Sequence, residues 1–172
     1  MAGEIDILFL SSFCAFVPAS DFPYICFPIS RVMYQKDYIL RMIEMLGELI
    51  AGILGLIKKG KFEQATEKLE NVYYKMLKED SAFFRDIPEN ELTDRLLHQH
   101  NYTNGHLEVL AELFNAEAEL CLAQGNKPGS LDYSHRSLRL FEFIDADYRI
   151  YSQERIYKME AIRERIRTLE NV

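Results

Sequence analysis

The chain of 172 residues is expected to fold as an all-α protein of about six helices paired into antiparallel hairpins. Three observations predict this: apolar residues recur at helical spacing over long windows, only 8 glycines and 5 prolines interrupt them, and the strongest break points sit between those windows. A content of 48% hydrophobic and 27% charged residues is that of a globular chain with a core of its own.

Residues 1–32 differ from the rest. Twenty of the 32 are hydrophobic and four are charged, and they hold three of the five prolines and two of the three cysteines. Glu4 and Asp6 precede the apolar run Ile7 to Val17 with no basic residue before it, which argues against a secretory signal. The run is also shorter than the roughly 20 apolar residues a membrane span requires, and Pro18, Pro23 and Pro28 break it. The remaining readings are an atypical signal, an apolar arm on the helical body, or translation from an upstream start with Met33 as the initiator. The last is the expectation, which makes residues 33–172 the helical domain.

The first helix is expected from an Asp37 cap to Lys59, because Ile39, Ile43, Leu46, Ile50, Ile53 and Ile57 alternate in spacings of four and three. Gly47, Ala51 and Gly55 lie on one face, where close packing against a neighbouring helix is expected; Arg41, Glu44 and Glu48 argue against the membrane use of such a stripe. Gly60 ends the helix. A second follows at once, with Phe62, Ala65, Leu69, Val72, Tyr73 and Met76 as its stripe, fading at Glu79-Asp80. Asp86-Ile87-Pro88-Glu89 has the form of a capped start and predicts a third helix to about His98. After the polar break Asn101 to Gly105, a fourth helix carries Leu107, Leu110, Phe114, Ala118 and Cys121 and ends at Gly125. A fifth starts at Lys127-Pro128-Gly129-Ser130 with Leu131, Leu138, Phe141 and Ile144. Asp145-Ala146-Asp147 is expected to restart a sixth, with Met159, Ile162, Ile166 and Leu169.

These hairpins resemble tetratricopeptide repeats, units of about 34 residues with Gly at the turn, an aromatic soon after and small residues where helices pack. The first hairpin has Gly60, Phe62 and Ala65 in those roles; the second has Ala118, Gly125, Ser130 and Ser137. Ile53, Glu117 and Ser134 depart from the pattern, and neither unit ends in Pro. The matched hairpins run from Leu46 to Met76 and from Leu113 to Glu142. The chain is also similar to a small bacterial family of uncharacterised function with such an array. The resemblance implies a right-handed array presenting a groove to a protein or peptide, and no activity. The basic carboxylate clamp of some repeat proteins has no matching Lys/Asn/Arg set here.

A formal net charge of −7, with basic residues interleaved among acids as in Arg163-Glu164-Arg165, disfavours nucleic acid as a partner. Three cysteines, Cys14, Cys26 and Cys121, without CxxC spacing suggest neither a disulfide framework nor a zinc knuckle, and fit a reducing cytoplasm. His98, His100 and His106 lack the three- or four-residue spacing of helical metal pairs, so no metal is expected. The pairs Glu89/Glu91 and Glu117/Glu119 are two apart and are expected on solvated faces. No GxSxG, P-loop, HExxH or dinucleotide fingerprint occurs, and no catalytic residue or cofactor is expected.

Among ten tyrosines, Tyr102, Tyr148 and Tyr151 are the expected partner contacts, because tyrosine joins apolar area to a polar tip. The last helix reads as a terminal cap, with a homodimer seam as the alternative. The functional expectation is an interaction module binding a protein or peptide. The rival classes are a small-ligand protein or enzyme with a pocket between helices, using Tyr102, His106 or Glu117, and a structural homodimer.

Overall fold

The computed structural model describes residues 29–148 and 152–171, with side chains at 41–147 and 152–171. Every regular element among the described residues is helical. The helices are α1 (Ile29–Lys58), α2 (Phe62–Leu77), α3 (Ser81–Asp86), α4 (Leu92–Asp94), α5 (Asn104–Ala123), α6 (Lys127–Tyr148) and α7 (Gln153–Glu170). A short 3₁₀ turn at Glu89–Glu91 and a π-helical turn at Arg95–Gln99 flank α4. The N-terminal segment lies, up to residue 28, outside the described residues.

Two glycines end helices by the same bonding pattern. At Gly60, φ is +70°; its N–H donates to the Ile57 carbonyl (2.9 Å) and the Lys61 N–H reaches back to the Leu56 carbonyl (3.0 Å). At Gly125, φ is +79°, with Gly125 N–H to Leu122 (3.0 Å) and Asn126 N–H to Cys121 (2.8 Å). Both are Schellman closures, which satisfy the last carbonyls of a helix and require a left-handed residue that glycine supplies at little steric cost.

Helix α5 is the centre of the molecule: it packs most extensively on α6 and also contacts α1 and α2, while α7 packs on α6. The α5/α6 contact is built from small residues. Ala111 and Ala118 on α5 and Ser130, Ser134 and Ser137 on α6 are fully buried, and the Ser137 hydroxyl donates to the Ala111 carbonyl across the contact at 2.8 Å. Between α1 and α2 the buried set is Leu46, Ile53, Ile57, Ala65, Leu69 and Val72. Phe114, Phe141 and Ile144 add buried area around α5 and α6, and Met159, Ile162 and Ile166 of α7 are buried within the chain. Each large apolar side chain so removed from water stabilises by about 1.5–3 kcal/mol before entropy is charged.

Four sequence expectations are corrected. Helix α1 begins at Ile29, so Asp37 lies inside it rather than at its start. Among the described residues, Gly47 and Gly55 have no neighbouring atom within 4 Å of where a Cβ would stand, and Ala51 is exposed, so there this stripe is open rather than packed. The segment expected as one helix from Asp86 to His98 is broken. Asp80, not Asp86, is the cap, its Oδ1 accepting from Phe83 N–H at 2.8 Å, and α3 ends at Asp86. Ile87 is then extended (ψ 124°), as a residue before proline is biased to be. Lastly, α6 continues through Asp145 and Asp147; the next helix starts after Ser152, whose Oγ accepts from Arg155 N–H at 3.3 Å.

Candidate functional site

A cavity of about 380 Å³ lies between α1, α5 and α7, with Phe141 of α6 also lining it. Its α1 wall is apolar or small: Ile43, Leu46, Gly47, Ile50, Ala51 and Leu54. The side chains that leave this wall open are Gly47 and Ala51, the residues expected to pack. The facing wall is ionic, made of Glu108, Glu112 and Asn115 on α5 with Ser152, Glu154, Arg155 and Lys158 at the start of α7.

The ionic wall follows from two helical spacings that match. Glu108, Glu112, Asn115 and Glu119 recur at four, three and four residues and share one face of α5; Arg155, Lys158 and Arg165 recur at three and seven and share one face of α7. They meet in order. Arg155 is 8% exposed and pairs with Glu108 (3.5 Å) and Asp145 (3.2 Å). Lys158 Nζ reaches Glu112 (2.6 Å) and Glu154 (2.7 Å). Arg165 pairs with Glu119 and donates to Asn115 Oδ1 at 3.0 Å.

Burial raises the Glu112 carboxyl above the usual carboxylate range although Lys158 pulls it down. Burial would lower the Lys158 ammonium, but Glu112 and Glu154 outweigh it and the net direction is up. The bond from Lys158 lowers the Glu154 carboxyl. The Arg155 Nε is buried and has no partner among the described residues.

A second polar cluster lies on the other side of α5. Glu70 of α2 accepts from Ser81, through the hydroxyl and through N–H at 3.2 Å, and Arg85 donates to the Ser81 hydroxyl at 2.8 Å. Glu117 faces this group. Its carboxyl is pushed up to about 7, chiefly by burial and then by the charge of Glu70, with Arg85 opposing. Glu117 and Glu119 were expected on solvated helix faces; they point to different sides of α5 and both are half-buried.

Tyr73 and Tyr133 border the same cluster. Burial, then Glu117, raises both phenols, Tyr133 to about 12 and Tyr73 well above its ordinary range. The Tyr73 hydroxyl is buried without a partner among the described residues. Burial also raises the Cys121 thiol, which makes it a poor nucleophile.

Tyr102 is half-buried, stacked between Phe84 (6.2 Å) and His106 (5.3 Å), and its hydroxyl donates to the Leu77 carbonyl at 2.8 Å. Its groups are thus engaged in joining the end of α2 to the start of α5. Burial pushes its phenol to about 12. Tyr151 and the side chain of Tyr148 lie outside the described residues. His106 completes a capping box with Thr103 at the start of α5, and burial lowers its imidazole. His98 sits beside Asp94 at 3.5 Å on an exposed turn.

Gly60, Phe62, Ala65, Ala118, Gly125, Ser130 and Ser137 lie at helix closures and contacts, away from the cavity lining. The residues that sequence reasoning missed are Glu108, Glu112, Arg155 and Lys158. Their matching spacings on two helices are the signal that points to them. Among the described residues no helix is long and apolar enough to cross a membrane. Comparison with protein-family models, with curated proteins and with solved structures gave no match.

Proposed function

We propose that the protein is a non-catalytic helical-repeat interaction module that seats a segment of a partner protein in the groove between α1, α5 and α7. In this reading α1/α2 and α5/α6 are antiparallel hairpins of a tetratricopeptide-like, right-handed array, the segment from α3 to Gln99 is an irregular insert, and α7 is the terminal cap. The observation that carries it is which helices wall the cavity: the first helix of each pair and the cap, the set that lines the concave side when helix pairs stack. The groove's cations and carboxylates are paired with one another, which suits recognition by shape and charge rather than proton transfer. Another protein is the proposed occupant rather than a second copy, because the apolar stripe of α7 is already buried within the chain. Cysteine usage supports a cytoplasmic setting.

The test is selection of peptides from a displayed library against the full chain, followed by rebinding to Gly47→Leu. A Cβ at this position meets no described atom within 4 Å, so a leucine is accommodated there and obstructs the groove. Selected peptides should lose affinity for it; peptides that bind both chains equally would remove the groove from the proposal. A second reading, a small amphipathic ligand, is favoured by the cavity volume, which lies within the roughly 300–1,000 Å³ of small-molecule sites. Failure of every peptide, together with saturable binding of a small amphiphile that Gly47→Leu abolishes, would establish that reading instead.

A further inference from the structure

The ionic wall of the groove is unbalanced. Three carboxylates of the lining, Glu108, Glu112 and Glu154, share two cations, Arg155 and Lys158, so three negative charges against two positive leave a net −1, and Asp145, outside the lining, draws on Arg155 as well. Helix α1 itself adds only acid at this level, and Lys68 of α2, which lies against Gly52, is outside the groove lining. Glu44 and Glu48 are exposed beside Gly47 and Ala51, and α1 has no basic residue between Arg41 and Lys58. Glu154 is 79% exposed in its side chain, so one face of its carboxylate is open to a second donor while Lys158 holds the other.

Resting on the reading of the groove as a docking site, we propose that its occupant is a cationic amphipathic segment of a partner protein. Apolar side chains of that segment lie on the α1 wall, where Gly47 and Ala51 leave room, and a lysine or arginine lies beside Glu154 and Glu112. Such a residue brings the missing positive charge into a partly desolvated acidic array, where a charge pair is worth more than on open surface. Anionic segments are turned away by the same excess, which gives the groove a sign preference in addition to its shape.

The experiment uses the full chain and three labelled helix-forming peptides of about 15 residues. They share one apolar stripe and carry only Lys, only Gln or only Glu on the flanking positions. Fluorescence anisotropy should place the Lys peptide about tenfold tighter than the Gln peptide, and the Glu peptide weakest. Adding salt should weaken the Lys peptide most. Glu112→Gln/Glu154→Gln should cost the Lys peptide at least about threefold and leave the Gln peptide unchanged. The control Glu63→Gln/Glu67→Gln, on the exposed face of α2, should leave all three unchanged.

Equal loss in the control would assign the attraction to the chain's overall charge and overturn the proposal. Charge-independent binding abolished by Gly47→Leu would overturn the sign preference while keeping the groove. Binding of no peptide, or binding indifferent to Gly47→Leu, would overturn both. Circular dichroism and thermal melts confirm that each variant is folded before it is scored.

Discussion

Helix α5 presents acidic side chains to two sides, and the molecule treats them differently. Toward α7, Glu108, Glu112 and Glu119 each meet a cation on the facing helix. Toward α2 and α3, Glu117 meets Tyr73 and a second carboxylate, Glu70, with Tyr133 of α6 beside them, and Arg85, which bonds to Ser81, only partly offsets Glu70 and burial. Burial raises both Glu112 and Glu117, the latter to about 7, while a lysine 2.6 Å away pulls Glu112 back down. The difference teaches that depth alone does not set a buried carboxyl's proton occupancy; what the opposite helix offers decides it.

The largest expected effect breaks the first side. Arg155→Ala leaves Glu108 and Asp145 without their cation in a partly buried site and should cost about 3 kcal/mol or more in denaturant unfolding. A loss under about 1 kcal/mol would mean that this wall behaves as solvated surface and that the contrast does not hold.

The next effect tests the second side. The folded chain keeps the Glu117 proton up to about pH 7, whereas the unfolded chain releases it near the ordinary 4.5. The contribution of this group is therefore fully present below pH 4.5 and is lost as pH rises through about 7. Between those limits it should amount to about 3 kcal/mol. Glu117→Gln should match the wild type at acid pH and exceed it by about that amount at pH 8. Parallel stability curves for the two proteins across this range would show that Glu117 ionises normally.

Lys158→Met sharpens the comparison by turning one side into the other. Without the ammonium at 2.6 Å, Glu112 becomes a buried carboxyl with no cation, and its pKa should rise further. Stability should fall by about 1–2 kcal/mol at neutral pH and recover part of that loss on acidification. A pH-independent loss would point to lost packing of the lysine stem instead. The smallest effect is at the exposed Arg163–Glu142 pair, 2.7 Å apart with side chains 42% and 51% exposed. Arg163→Ala should change stability by less than about 0.5 kcal/mol, and a larger change would show that the outer face of α7 also counts.

The helices and their closures were legible because they are local. Gly60 and Gly125 stand where apolar periodicity stops, and a left-handed residue is what a Schellman closure needs. The region from Ser81 to His100 was misread because two local signals compete there. Asp86-Ile87-Pro88-Glu89 satisfies the rules for a helix start, but Asp80 had already capped a helix, and Leu92 and Leu96, both fully buried, hold the chain through short irregular turns. Arg136 of α6 reinforces this by donating to the Ile87 carbonyl at 2.9 Å, a contact that no local pattern contains. At Asp145-Ala146-Asp147 the cap-like residues lie on an uninterrupted helix, and the paired role of Asp145 with Arg155 explains one of them.

The candidate site was less legible. The stripe Gly47-Ala51-Gly55 was visible, but whether small residues admit a neighbouring helix or leave a groove depends on where that neighbour lies. Close packing of small residues occurs instead between α5 and α6, at Ala111, Ala118, Ser130 and Ser137.

By itself the sequence determined that this chain is helical, roughly where most of its helices run, and that Gly60 and Gly125 end two of them, because backbone propensity and periodicity act within a few residues. Only the tertiary structure decided that the open stripe faces an ionic wall, and that Glu112 has a lysine while Glu117 has a second carboxylate. Lys158 and Glu112 are 46 residues apart, and a charge finds its partner only when packing brings two helices together.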